Sequence, residues 1–428
     1  AVDAADNAAN PGPTGPTVTS AQSTESLAQE QKAILQLFRT RRELIRWRDV
    51  DQYANLAQSG VDAIRDAAEQ WGAAALIPTT QKAIASTVRA ILRADDSNGV
   101  IGTVIDDLLQ VHAELCVLAP PPTAKLVTWL IDFQFDGKQD YFNPDVAQYA
   151  TALGERGLAL FEEKVRALHA GFGEPPSDFD HNQHTVQFNL RRLAVARRDP
   201  DALISSFGPL TRAYVLHDLA KALVEIDAID QALGHAERGA KIENGWQAER
   251  CALYWCELLD QNRAPAELRT ARAFVFDTWP TSSNAVRLAG ASGDGWSSIA
   301  EVTFDRLREG HPRELINTMP SLDLRDQAWK EAEGQRLDRE LWSRLVASRQ
   351  AEDPASVVPV LRELIDADLE VSDIQNYRSA VKRLRQLRDA LRACDREDEF
   401  APIIRTIQVE HRRRPRLMEE LRKARLDR

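Results

Sequence analysis

Apolar positions along residues 211–280 recur in the pattern of two helical hairpins laid end to end. Leu216, Leu219, Ala220, Leu223 and Ile226 fall at the 3,4-spacing of a stripe buried on one face of a helix. Asp227 interrupts the stripe, and Ala232, Leu233, Ala236 and Ala240 mark a second helix with small apolar positions, which lets two helices approach closely. The same period runs through residues 24–170, where it predicts seven helices. Leu27, Ile34, Phe38 and Ile45 mark the first, ending near Trp47, and Asp49 is the expected N-cap of a second that reaches Trp71. Pro78 opens a third, since proline suits the first helical position. The turn cluster at 95–99 precedes a fourth helix with Ile101, Val104, Ile105, Leu108, Leu109, His112, Leu115 and Cys116 on one broad face. Three prolines at 120–122 break the chain before Leu126, Val127, Leu130 and Ile131. Pro144 then starts a short helix that Gly154 ends, and residues 158–168 form the last.

Two stretches carry no period. Residues 1–23 hold hardly any large apolar group and are expected to form a disordered tail, because such a segment buries too little surface to offset its ordering entropy. Residues 171–182, rich in Gly, Pro and Asp, read as the linker between an N-terminal helical domain (24–170) and a repeat domain (183–428). In the latter, helices of 12 to 18 residues are expected between breaks such as Asp199-Pro200, Gly208-Pro209, Asn244-Gly245, Gly310-His311-Pro312, Met319-Pro320 and Asp353-Pro354. Ala236 and Ala271 lie 35 positions apart, near the period of about 34 of tetratricopeptide (TPR) repeats. Bulky Trp255 and a shortened third unit around Leu288 and Leu307 make the repeats divergent. The most regular seam is Ile374, Tyr377, Val381, Leu384, Leu387, Leu391 and Cys394, with Phe400, Ile403, Ile404 and Ile407 as candidate neighbours. The expected fold class is therefore all-α: an α-solenoid of divergent TPR-like helical hairpins with an N-terminal helical subdomain.

Composition agrees with helix, with only 20 glycines in 428 residues and 7% aromatics. The formal charge of −11 argues against a chain built wholly to bind nucleic acid or an anionic membrane. The balance is uneven, however: residues 378–428 hold 16 Lys and Arg against 9 Asp and Glu. No apolar run is long enough for a membrane span. The four cysteines, Cys116, Cys251, Cys256 and Cys394, form no C-x-C or C-x-x-C pair. That spacing does not suit a zinc site and fits a reducing compartment, so a cytoplasmic location is expected.

Candidate chemistry is sparse. Asp178, Asp180, His181 and His184 bring together side chains that could hold a divalent metal, but beside a polar linker the same residues serve turns and caps, and that reading is preferred. His112 on an apolar face, and His217 next to Asp218, read as packed or partner-satisfied imidazoles. No G-x-S-x-G, H-E-x-x-H or phosphate-binding glycine loop occurs, so no catalytic residue, metal or cofactor is expected. The aromatic segment 129–142 is either the core of the N-terminal half, the reading preferred here, or a partner-binding patch. Arg412, Arg413, Arg414 and Arg416 are the candidate partner-binding residues: a cluster that can grip phosphates, or a solvated face near helix ends.

Two stretches resemble known sequences. Residues 128–168, with the apolar-acidic run from Trp129 to Phe135, Tyr149-Ala150, Leu153-Gly154-Glu155 and Gly157-Leu158, resemble a bacterial helical family catalogued as a domain of unknown function. Residues 353–421 resemble the end of that family and the C-terminal helical region of bacterial SWIM-type zinc-finger proteins. The resemblance spans about residues 40–425 and implies a TPR-like solenoid but no chemistry. The SWIM module needs C-x-C followed by C-x-H, which this chain lacks, so zinc and a finger's DNA contact do not carry over. The expected function is a non-enzymatic scaffold whose surface binds another protein. The alternative is a nucleic-acid-associated factor that contacts phosphates through its basic C-terminal region.

Overall fold

The computed structural model describes residues 18–136, 138–172, 181–262, 264–335 and 337–426. Among them every regular element is helical, which establishes the all-α class. The single β-type pairing is an isolated bridge between Leu44 and Ala94. No helix among the described residues is long and apolar enough to cross a membrane. The chain forms two compact units, Ala1–Glu243 and Asn244–Arg428.

The first unit contains α1 (Val18–Leu37), α2 (Trp47–Trp71), α3 (Ala73–Ile91), α4 (Val100–Leu118) and α5 (Thr123–Phe135). A 3₁₀ turn, Val146–Tyr149, then leads into α6 (Ala150–Gly171), followed by α7 (His181–Arg197), α8 (Pro200–Ser206), α9 (Ala213–Glu225) and α10 (Ile229–Lys241). The most apolar of these, α4, is covered by α2, α3 and α6, as expected of a helix with little polar surface. The expected linker is internal to this unit, because α7 packs on α6 and adds Val186 and Leu193 to the core. Residues 173–180 of that linker lie outside the described residues, as do residues 1–17 of the expected tail. Residues 18–23, assigned to the tail from sequence, begin α1.

Local expectations fail where a tertiary contact competes with the period. The first helix stops at Leu37 instead of running to Trp47, because Leu44 is drawn into backbone hydrogen bonds with Arg93 and Asp95 at 3.0 and 2.8 Å. Ile45 and Trp47 are consequently exposed. Asp49 lies inside the first turn of α2 and does not cap it; its carboxylate still favours the positive end of the helix. Pro78 sits within α3, which starts just after Gly72. Gly154 interrupts α6 with φ 59° and ψ −179°, a conformation open essentially to glycine alone, so the expected break is real even though the helix resumes.

Hairpin α9–α10 follows its pattern closely. Leu216, Leu219, Ala220 and Leu223 face Ala232, Ala236 and Ala240, all buried, across a turn in which Asp227 takes φ 61°. The second unit comprises α11 (Trp246–Gln261), α12 (Pro265–Thr278), α13 (Ser282–Ser292), α14 (Trp296–Gly310), α15 (Pro312–Ser321), α16 (Arg325–Ala332), α17 (Arg339–Arg349), α18 (Pro354–Glu370), α19 (Ile374–Ala393), α20 (Phe400–Glu410) and α21 (Pro415–Lys423). Across the expected repeat domain, helix lengths run from 7 residues in α8 to 20 in α19, a wider range than expected, and Pro320 lies inside α15. Tyr377, Val381, Leu384, Leu387 and Leu391 form the buried seam of α19 against α18, joined by Phe400, Ile404 and Ile407. Asp353 and Asp373 cap these two helices by accepting backbone N–H groups, Asp373 at 2.8 and 3.0 Å.

Candidate functional site

The four arginines singled out from sequence do not act as one group. Arg412 and Arg413 occupy the turn between α20 and α21, and Arg416 lies in the first turn of α21; all three are exposed and form no ion pair among the described residues. Arg414 is half-buried, and its guanidinium donates to the carbonyl of Leu369 near the end of α18, satisfying a carbonyl that the helix leaves open. Arg412 to Arg414, with Val409, Glu410 and His411, line a shallow depression of about 470 Å³. Much of the other basic charge nearby is neutralised locally. Arg392 pairs with Glu397 at 2.6 Å, Arg396 with Glu399 at 2.7 Å and Lys423 with Glu419 at 2.9 Å. Arg383 turns inward to Asp368, which is buried and also meets Arg339 at 3.2 Å. Lys382, Arg385, Arg405, Arg422 and Arg425 are also exposed and form no ion pair among the described residues, so the exposed cations are not confined to the α20–α21 turn.

His112 is fully buried in α4 and its hydrogen bonds are satisfied. Gln81 Nε2 lies 3.0 Å from His112 Nε2, and Tyr149 Oη lies 3.0 Å from His112 Nδ1. Tyr149 in turn donates to the Leu109 carbonyl at 3.3 Å. That direction of donation assigns the neutral imidazole with its proton on Nδ1. Burial holds the His112 pKa down to about 3 and pushes the Cys116 thiol, one helical turn on, up to about 12. The Tyr149 phenol is raised for the same reason. With both ring nitrogens partnered and the Cys116 thiol 3.8 Å from Nε2, His112 ties α4 to α3 and to the turn before α6. This agrees with the packed reading. Sequence spacing could not find its partners, which come from other helices 31 and 37 residues away.

Of the linker cluster, Asp178 and Asp180 lie outside the described residues. His181 opens α7 with Nε2 3.2 Å from Thr185 Oγ1, one turn on. His217 is buried in α9 with Nδ1 3.4 Å from Asp218 Oδ1. Among the described residues, no three His, Cys, Asp or Glu side chains are grouped to hold a metal ion.

The aromatic segment divides between core and surface. Trp129 and Phe133 lie one turn apart on α5 with their rings stacked 5.5 Å apart, and Trp129 rests on the His112 ring at 4.0 Å. Both rings are half-buried and line an open furrow of about 450 Å³ that also receives Ala85, Val88 and Arg89 from α3 and Leu92 just past its end. Phe135 and Phe142 pack against the core, while Tyr141 is exposed. Gln139 pins the loop at one end of the furrow. It donates to the carbonyls of Phe133 and Phe142 at 2.8 and 3.0 Å and accepts from the Tyr141 and Phe142 amides at 3.0 and 2.7 Å. The segment is core on one side and surface on the other, because α5 turns one face to α6 and another to solvent.

No protein-family model matches the chain, and no curated protein matches it.

Proposed function

We propose that this protein is a non-enzymatic helical scaffold that binds another protein, with its hairpins stacked as divergent TPR-like repeats. The observation that carries this reading is the furrow between α3 and α5. There, two large aromatic side chains are held half-exposed by a hydrogen-bonded floor. Aromatic groups kept rigid before binding lose little freedom on contact, which is what makes them effective anchors at interfaces. The buried hydrogen-bond network around His112 supports the same view, since it stiffens the wall and offers no reactive group to solvent. Affinity capture from a bacterial lysate, with and without nuclease and read by mass spectrometry, tests the proposal. A defined protein that survives nuclease is the expected result. Loss of every partner on nuclease treatment overturns it.

A second reading rests on Arg412 and Arg413 in the α20–α21 turn and Arg416 at the start of α21, which are exposed and form no ion pair among the described residues. Three phosphate contacts give an affinity for nucleic acid whose logarithm falls with log salt at a slope of about −2 to −3. Substituting the three with Ala would flatten that slope. A partner held on apolar anchors shows little such dependence.

A further inference from the structure

We infer that the furrow between α3 and α5 is the docking site for an amphipathic helix of a partner protein, one that carries acidic residues on one flank and basic residues on the other. This rests on the scaffold reading and specifies the partner's chemistry. Three features of the furrow lead to it. Its walls come from two helices that pack elsewhere, α3 on α4 and α5 on α6, and between them lies a space of about 450 Å³. Its lining is apolar at the centre, with exposed Leu92 on one side, half-buried Trp129 and Phe133 on the other, and buried Val88 beneath. That matches an apolar stripe whose anchors recur at i, i+3 or i+4 and i+7. Its rims carry opposite charges. Arg89 on α3 and Asp132 on α5 are both exposed and form no ion pair among the described residues, whereas Asp136 is already paired with Lys138 at 2.6 Å.

Among the residues that line the furrow, one cation on one wall and one anion on the other, neither in an ion pair among the described residues, select a helix with unlike flanks. A helix with two basic flanks places a cation against Arg89, and one with two acidic flanks places an anion against Asp132. Such like-charge contacts are how interfaces reject the wrong partner. The floor is preformed: Trp129 is backed by His112 and the loop end is pinned by Gln139, so the rings need no rearrangement to receive a Leu or Phe anchor.

The test uses the full chain and three labelled peptides of about 18 residues, roughly five helical turns. All share one Leu/Phe stripe; their flanks are Glu on one side and Lys on the other, Lys on both, or Glu on both. Fluorescence anisotropy is expected to rank the mixed peptide at least tenfold tighter than either single-sign peptide. Phe133→Ala is expected to weaken it at least tenfold. Arg89→Glu, a surface change that leaves the core untouched, is expected to move the preference to the peptide with Lys on both flanks. Equal binding of the three peptides, or an unchanged ranking in Arg89→Glu, overturns the inference. If the full chain captures a nuclease-resistant protein equally well with and without Phe133→Ala and Arg89→Glu, the furrow assignment falls while the scaffold reading stands. If no peptide binds and no protein is captured, both fall.

Discussion

His112 illustrates how burial alone can give a residue a measurable signature. Its folded value of about 3 lies below the ordinary 6.5, so the unfolded chain takes up a proton that the native state refuses. Stability from this group is complete above pH 6.5 and drains away as the pH falls from 6.5 toward 3. Linkage puts the loss at about 2 kcal/mol between pH 7.5 and 5. Urea titrations of the wild type and His112→Gln across that range should show a slope in the former that is reduced in the latter; parallel slopes would contradict the burial argument. The thiols offer a second check. Cys116, Cys251 and Cys256 are buried and only Cys394 is half-exposed, and alkylation requires an accessible thiolate. Iodoacetamide at pH 8 should therefore modify Cys394 first, with the other three labelled only in denaturant, as read by peptide mass spectrometry. At this scale the sequence was partly legible. A histidine on an apolar face implied packing, but nothing in the residues around Arg414 distinguishes it from Arg412. Only the approach of the α18 end turned Arg414 into a cap.

At the scale of elements, period and punctuation carry most of the information. The α19 seam, the Asp227 turn and the Gly154 break all stand where apolar spacing and turn chemistry put them, because those signals are local. Gly154→Ala forces a side chain into a backbone region open almost only to glycine and should cost about 1–3 kcal/mol, measured by thermal or urea unfolding. Interactions between elements are less visible. The buried Asp368 with Arg383 and Arg339 joins α18, α19 and α17, and the apolar pattern around Asp368 gives no hint that a carboxylate there is enclosed. Removing it leaves Arg383 without its counterion, so Asp368→Ala should lose about 3 kcal/mol or more. Adding Arg383→Met should recover part of that loss; if the double variant is no better than the single one, the uncompensated charge is not the cause.

For the whole molecule, one buried cluster lies within residues 34–193 of the first unit and another within residues 276–426 of the second. A fragment covering residues 244–428 should keep helical circular dichroism and melt cooperatively; a molten, non-cooperative fragment would show that its core depends on the rest of the chain. The expected boundary at 171–182 followed glycine and proline, which report where regular structure pauses and not where packing ends. Chain order and apolar spacing determined by themselves that this protein is all-helical, where most of its helices turn, and which faces are buried, since each depends on neighbours within a few residues. Tertiary structure alone decided three further things. The domain division follows from α7 packing on α6, and the inward turn of Arg383 and Arg414 follows from the approach of α18. The aromatic furrow opens because α3 and α5 each pack on another helix. These contacts join positions tens of residues apart, and no local period records them.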